Sequence, residues 1–253
     1  APPQKSALAE PAPEMEAMES ESLESIGGVP SLEEESDVLG LESIELKPKD
    51  AVEEASKPVE RIPLLGAGGA FTLAIDPGHG GDDNGVVGSG GLMEKELCLA
   101  VATEVQRLLK EEYNINAVLT RDTDESLSPD DRLQRATAGS ATLVLSIHGG
   151  ASTGTGAQGY RVFAHQPLES LSIDPKPALG VAETLASTLD QPPRPIREIP
   201  MRLMRQGAMP GILVELGNLV NPDEEAQLAT SAQQELLASA LAQGIKNAVG
   251  SSQ

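Results

Sequence analysis

From Phe71 onward, hydrophobic and polar residues follow two alternating periods, which predict strands interleaved with helices. Short, mainly apolar runs predict strands at 71–75, 117–120, 142–148, 159–164, 200–204 and 211–215. Apolar residues at helical spacing, together with capping residues, predict helices at 92–112, 128–139, 178–189, 222–228 and 231–249. This alternation predicts an α/β fold in which a single, mostly parallel sheet is flanked by helices on both faces.

Residues 1–65 do not continue this pattern. They are rich in Glu, Ser, Pro and Ala and contain no aromatic side chain. Such a composition predicts an acidic, disordered N-terminal segment or linker, followed by one folded domain at 66–253. An alternative interpretation is that a carboxylate of this segment folds back over a functional site of the domain and blocks it.

The net charge of the chain is −21, and residues 1–60 carry 16 acidic against 4 basic side chains. This balance argues against nucleic-acid binding, because that function needs a basic face. No apolar run approaches the roughly 20 residues of a membrane-spanning helix, so we expect no membrane-spanning segment. Cys98 is the single cysteine, which excludes an intrachain disulfide.

Two of the three histidines lie where apolar runs end. His79 and His148 are each followed by two glycines, and Glu94 and Glu215 supply carboxylates in similar surroundings. Neutral imidazole is a preferred zinc ligand, and catalytic zinc usually takes three protein ligands and leaves one position for water. Functional groups of α/β folds collect at the carboxyl ends of the strands. The sequence therefore predicts a mononuclear zinc hydrolase.

Each candidate also has a simpler interpretation. Glu94 could be an ordinary carboxylate in a first helical turn, where the helix dipole favours it, and Glu96 should point to another face of that helix. Glu215 ends a predicted buried strand, which is costly for a carboxylate unless it is paired or lies near a metal. We expect His165 in a surface turn, without a role in the site, and Cys98 as a small buried thiol.

Several motifs occur in the order of a known family. They are Ile75-Asp76-Pro77-Gly78-His79-Gly80-Gly81 with Asp83-x-Gly85, then Glu94-Lys95, Thr120-Arg121-Asp122-Thr123-Asp124, Ser146-Ile147-His148, Leu213-Val214-Glu215-Leu216-Gly217 and Asn221-Pro222. Over about residues 71–250, this series resembles the zinc-dependent N-acetylmuramoyl-L-alanine amidases. The resemblance implies that His79, Glu94 and His148 bind one Zn²⁺ per chain and that Glu215 is the catalytic carboxylate. Arg132 also matches the family pattern.

The resemblance implies a function for the predicted domain at 66–253. It would hydrolyse the amide bond between N-acetylmuramic acid and L-alanine in peptidoglycan. The expected location is the periplasm or the outside of the cell, for an exported protein whose signal peptide is not part of this chain. Peptidoglycan is the expected partner, nucleic acid is not, and the chain is expected to be a monomer. The sequence identifies no protein activator.

Two positions depart from the family pattern, with Gly150 in place of an Asn and Asn218 in place of a Phe. Neither position is a metal ligand in the resemblance, so both concern substrate positioning and local packing. Two alternatives stay open at this point. One is another zinc peptidase, such as a carboxypeptidase acting on cell-wall peptides. The other is a non-catalytic, peptidoglycan-binding relative.

Overall fold

The computed structural model describes residues 71–152, 158–165, 176–199 and 209–250. The predicted acidic segment at 1–65 and the predicted strand at 200–204 lie outside these residues.

The described residues form six strands and five helices. The strands are β1 (Thr72–Pro77), β2 (Asn116–Leu119), β3 (Leu143–Gly150), β4 (Arg161–His165), β5 (Arg197–Ile199) and β6 (Gly211–Asn218). The helices are α1 (Glu94–Glu111), α2 (Pro129–Ala138), α3 (Lys176–Thr188), α4 (Pro222–Leu228) and α5 (Ser231–Gly250). None of these helices is both long enough and apolar enough to span a membrane.

All six strands belong to one sheet, in the order β2-β1-β3-β6-β4-β5. Neighbouring strands run parallel, except that β4 and β6 are antiparallel. The predicted α/β fold with a single, mostly parallel sheet is therefore confirmed.

The hydrophobic core lies on both faces of the sheet. On one face, the strands pack with α1, α3 and α5 through aliphatic side chains and Tyr160. On the other face, Ala74 of β1 and Val144 of β3 pack against Ala136 of α2. Because the chain has only two Phe, two Tyr and no Trp, the core is built almost entirely from Leu, Ile, Val and Ala. The prediction of helices on both faces is confirmed.

Two strands run further than the sequence indicates. The prediction ended them at His148 and Glu215, but β3 continues to Gly150 and β6 to Asn218. The extra residues pair across the two strands beyond an irregularity in the register, where Gly150 lies opposite Asn218. Glu215 therefore lies inside β6 and directly opposite His148, instead of at the end of its strand.

The prediction that His165 lies in a surface turn is wrong. His165 is the last residue of β4 and is only 5 % exposed. Burial disfavours the charged imidazolium and lowers the pKa of His165.

The start of α2 follows the prediction closely. Ser128 is the N-cap, Pro129 occupies the first turn, and Gly139 is the C-cap. The Ser128 hydroxyl accepts a hydrogen bond from the Asp131 amide at 3.2 Å, and the Asp131 carboxylate accepts one from the Ser128 amide at 3.1 Å. This reciprocal pair is a capping box, which satisfies backbone donors that the helix itself cannot bond.

Ser128→Ala should lower the free energy of unfolding by about 1 kcal/mol, because it removes the N-cap acceptor. Urea denaturation followed by circular dichroism measures the change. Ser187→Ala is the matched control, since Ser187 is exposed on α3 and its substitution should change the free energy of unfolding by less than about 0.5 kcal/mol. Equal stabilities of the two variants would contradict a stabilising role for the capping box.

Candidate metal centre

The loop after β1 presents His79 in a strained conformation, with φ at 59°. Residues other than glycine rarely adopt this left-handed region. Two arginines fix the loop through its carbonyl oxygens. Arg132 donates to Pro77 O at 2.7 Å and to His79 O at 2.6 Å. Arg121 donates to Pro77 O at 3.1 Å and to Gly78 O at 2.7 Å. These four hydrogen bonds hold the backbone that carries the imidazole.

Asp76 anchors this arrangement to the sheet. It is 3 % exposed and accepts hydrogen bonds from Arg132 at 2.9 Å, from Thr120 at 2.5 Å and from Ser146 at 3.0 Å. A buried carboxylate is stable only when it is paired and its oxygens are satisfied. The three donors come from α2, the end of β2 and β3, so the carboxylate ties these elements to β1.

Glu94 is the first residue of α1 and is almost fully buried. Its Oε1 lies 3.0 Å from Nε2 of His79 and 3.0 Å from Nδ1 of His148. Gly149 N donates to Oε1 and Val86 N to Oε2, both at 2.9 Å. Burial opposes ionisation, but the hydrogen bonds from His148, His79 and the Val86 amide outweigh it and lower the pKa of Glu94 to about 2. The side chain is therefore a carboxylate at neutral pH.

His79, Glu94 and His148 converge on one point, and their candidate ligand atoms all lie within 4.8 Å of one another. In the described part of the chain, this is the only group of three His, Cys, Asp or Glu side chains close enough to share an ion. The two imidazole rings stand edge to face, with centroids 5.0 Å apart. Two imidazoles and a carboxylate form a donor set that suits a divalent transition metal.

Asp83 orients the first imidazole. Its carboxylate lies 2.8 Å from Nδ1 of His79, on the opposite side of the ring from Glu94. Hydrogen bonds to Glu94 and then to Asp83 raise the pKa of His79, although burial opposes this shift. A carboxylate that binds the second ring nitrogen is a frequent support of metal-binding histidines, because it fixes both the tautomer and the ring orientation.

Glu215 lies beside this cluster, in a row of polar residues that crosses three strands. It is directly opposite His148 of β3 on one side and Arg161 of β4 on the other. The Arg161 guanidinium donates to Oε2 of Glu215 at 2.9 Å and also contacts the Ser152 hydroxyl. The sequence analysis missed Arg161, because its position becomes apparent only from the antiparallel pairing of β4 with β6.

Glu225 supports the loop that precedes Glu94, and it was also missed. It lies on α4, is 2 % exposed, and accepts hydrogen bonds from the amides of Gly90 at 2.8 Å and Leu92 at 3.1 Å and from the Ser89 hydroxyl at 3.1 Å. More than 130 residues of sequence separate Glu225 from this loop, and no local pattern connects them.

The two departures from the family pattern have structural explanations. A Cβ atom at Gly150 would lie 2.7 Å from Gly217 O and 3.2 Å from Oε2 of Glu215, so a side chain here would press on the Glu215 carboxylate. Asn218 is buried, and its side-chain oxygen accepts hydrogen bonds from the amides of Ser152 at 3.1 Å and Val220 at 3.2 Å. It thereby positions the segment whose hydroxyl contacts Arg161.

Cys98 lies in α1 and is fully buried, as expected. Burial raises the pKa of the Cys98 thiol. A neutral thiol is a poor metal ligand, which separates Cys98 from the cluster.

Comparisons with known proteins agree with this geometry. The family model described as N-acetylmuramoyl-L-alanine amidase matches residues 73–247. The N-acetylmuramoyl-L-alanine amidase AmiA of Escherichia coli strain K12 is 28 % identical over 221 residues, covering 71 % of this chain and 76 % of the relative.

Two solved structures extend the comparison. The N-acetylmuramoyl-L-alanine amidase of Clostridium difficile 630 is 31 % identical with a TM-score of 0.65, covering 73 % of this chain and 99 % of that one. The amidase AmiC2 of Nostoc punctiforme is 31 % identical with a TM-score of 0.61, covering 69 % of this chain and 94 % of that one.

Gly78→Ala should weaken binding of a divalent metal about 10–100-fold, the range observed when the support of a ligand is disturbed. A Cβ atom here would lie 2.6 Å from Nδ1 and 2.8 Å from Nε2 of His148, so the imidazole must move. Competition with a chromophoric chelator measures the affinity, and circular dichroism checks the fold. Gly250→Ala is the control, because nothing lies within 4 Å of its Cβ position. An unchanged affinity in Gly78→Ala would contradict the position of His148 in the site.

Proposed function

The chain belongs to the N-acetylmuramoyl-L-alanine amidase family and hydrolyses the amide bond between N-acetylmuramic acid and L-alanine in peptidoglycan, and we propose that it does so with one zinc ion. His79, Glu94 and His148 are the proposed ligands, and Glu215 is the proposed catalytic carboxylate. The observation that carries this proposal is the convergence of three donor side chains within 4.8 Å, with Glu215 opposite His148 on the neighbouring strand.

The donor set fits zinc in its chemistry and its surroundings. Two imidazoles and one carboxylate are a known ligand combination of catalytic zinc, which keeps a further position open. Glu94 is ionised, and Asp83 holds the His79 ring with Nε2 directed towards Glu94. When bound, zinc supplies Lewis-acid chemistry, which polarises a carbonyl group and makes water more acidic. The other catalytic functions fall to the side chains.

Glu215 is the proposed general base and acid. Its carboxylate takes a proton from the attacking water as the water oxygen bonds to the lactyl carbonyl carbon. It then delivers that proton to the L-alanine nitrogen as the C–N bond breaks, which releases a lactyl carboxylate and a free amine. Arg161 donates to Oε2 of Glu215, so Oε1 is the proposed site of the proton.

The substrate also suggests where the protein works. Peptidoglycan is the proposed partner, so we place the site of action in the periplasm or outside the cell. All four proposed site residues belong to one chain, so we propose that the monomer contains the complete catalytic site. The acidic residues at 1–65 are proposed as a segment separate from the catalytic domain at 66–253.

Metal analysis and digestion of purified peptidoglycan test the proposal together. We expect about one zinc per chain and new L-alanine amino termini without release of terminal amino acids. Release of a terminal amino acid instead would favour a carboxypeptidase. Binding to peptidoglycan in the presence of zinc, without any cleavage, would favour a non-catalytic relative.

Glu215→Gln should retain zinc but lose activity by about 10²–10⁴-fold, because the amide cannot accept the proton. The measurement is kcat on a soluble muramoyl peptide, alongside zinc content. Glu235→Gln is the matched control, because Glu235 is exposed on α5. A Glu215→Gln variant with a rate near that of the wild type would remove Glu215 from the mechanism.

His79→Ala and His148→Ala should each lose the zinc itself, since each removes one of three proposed ligands. Atomic absorption on folded, dialysed protein measures the loss. His165→Ala serves as the control, because the third histidine lies in β4 and is not a proposed ligand. Full zinc occupancy in either ligand variant would contradict the proposed ligand set.

A further inference from the structure

A small cavity of about 100 Å³ lies against β4 and β5. It adjoins Arg161, the residue that donates a hydrogen bond to Glu215. Its lining residues are Arg161, Val162, Phe163, Arg194, Pro195 and Arg197. Three of these six residues are arginines, in a protein whose net charge is −21. The volume is enough for a carboxylate group and one or two water molecules, since a water molecule occupies about 30 Å³ in the liquid.

The three arginines differ in how fully their side chains are paired. Arg161 is bound to Glu215 and Ser152. Arg194 donates from Nη2 to Gln158 O at 2.6 Å, but in the part of the chain that the structure describes its Nε is buried without a hydrogen-bond partner. Arg197 is exposed and forms no ion pair with any described residue.

This distribution leaves positive charge at the cavity, on Arg194 and Arg197, that no carboxylate of the described residues neutralises. The planar guanidinium group matches the geometry of a carboxylate, and such charge-assisted hydrogen bonds are among the strongest in proteins. The arginines at the cavity therefore favour a carboxylate ligand.

The sheet geometry places this cavity within reach of a peptide bound at the metal centre. His148, Glu215 and Arg161 lie opposite one another on three successive strands. Adjacent strands are about 4.8 Å apart, so Arg161 lies roughly 10 Å from His148. An extended peptide covers about 3.3 Å per residue. A carboxylate on the second to fourth residue of a stem peptide therefore spans the distance.

We propose that Arg161, Arg194 and Arg197 form a subsite that binds a carboxylate of the peptidoglycan stem peptide, on a residue beyond L-alanine. This proposal rests on the proposed amidase function and specifies which substrates that site prefers. Arg161 would connect the two sites, because it donates to Glu215 and is also one of the residues that line the cavity.

Two soluble substrates test the subsite. One is a muramoyl tetrapeptide with its carboxylates free, and the other is the same molecule with those groups converted to carboxamides. The wild-type zinc protein should cleave the free acid with a kcat/KM about tenfold higher, mainly through KM, which is the effect of about one charge-assisted hydrogen bond. The preference should shrink at high ionic strength, because salt screens the attraction.

Arg197→Gln should bring the ratio of the two kcat/KM values close to one, and Arg197→Lys should restore part of the preference. Arg107→Gln is the matched control, because Arg107 is exposed on α1 and pairs with Glu104 and Glu111. It should keep the wild-type ratio and its salt dependence.

The outcomes separate the two proposals. Equal cleavage of both substrates by the wild type would overturn the subsite and leave the amidase function standing. A wild-type ratio in Arg197→Gln would also overturn the subsite. Cleavage of neither substrate by the zinc-loaded wild type would overturn the amidase function itself.

Discussion

The buried ion pair between Asp76 and Arg132 is the interaction on which the site depends. The Asp76 carboxylate accepts a hydrogen bond from Nη1 of Arg132. Nη2 of the same guanidinium donates to the carbonyl oxygen of His79. A non-glycine residue in the left-handed region costs about 1–3 kcal/mol, which these hydrogen bonds offset. Helix α2 therefore serves the metal centre although it contributes no candidate ligand, because it carries the arginine that keeps the histidine loop in place.

Much of the fold could be predicted from the sequence, because its signals are local. Ser128 and Gly139 predict the two ends of α2. The alternation of strand and helix patterns along the chain predicts a mostly parallel sheet. The ends of β3 and β6 were placed too early, since glycines usually interrupt strands. Whether Gly150 continues its strand depends on its pairing with Asn218 on the neighbouring strand. The residues next to Gly150 in the sequence do not indicate this pairing.

The same distinction applies to the site. His79 and His148 could be found from strand ends and glycines, but Glu94 needed the family resemblance, because a carboxylate in a first helical turn is unremarkable on its own. The contacts of Arg161 and Glu225 cross 54 and 135 residues of sequence. Such long-range contacts are determined by the topology of the fold. Sequence patterns therefore predict the candidate ligands and catalytic residues more readily than the residues that position them.

Cys98 has a consequence for the chemical durability of the protein. Its thiol is enclosed in α1 and stays protonated, because burial raises its pKa. Oxidants and thiol-disulfide exchange act on the thiolate and require access. A native molecule in an oxidising compartment should thus neither crosslink to a second copy nor acquire a mixed disulfide, and modification of this sulfur would report that the helix has opened.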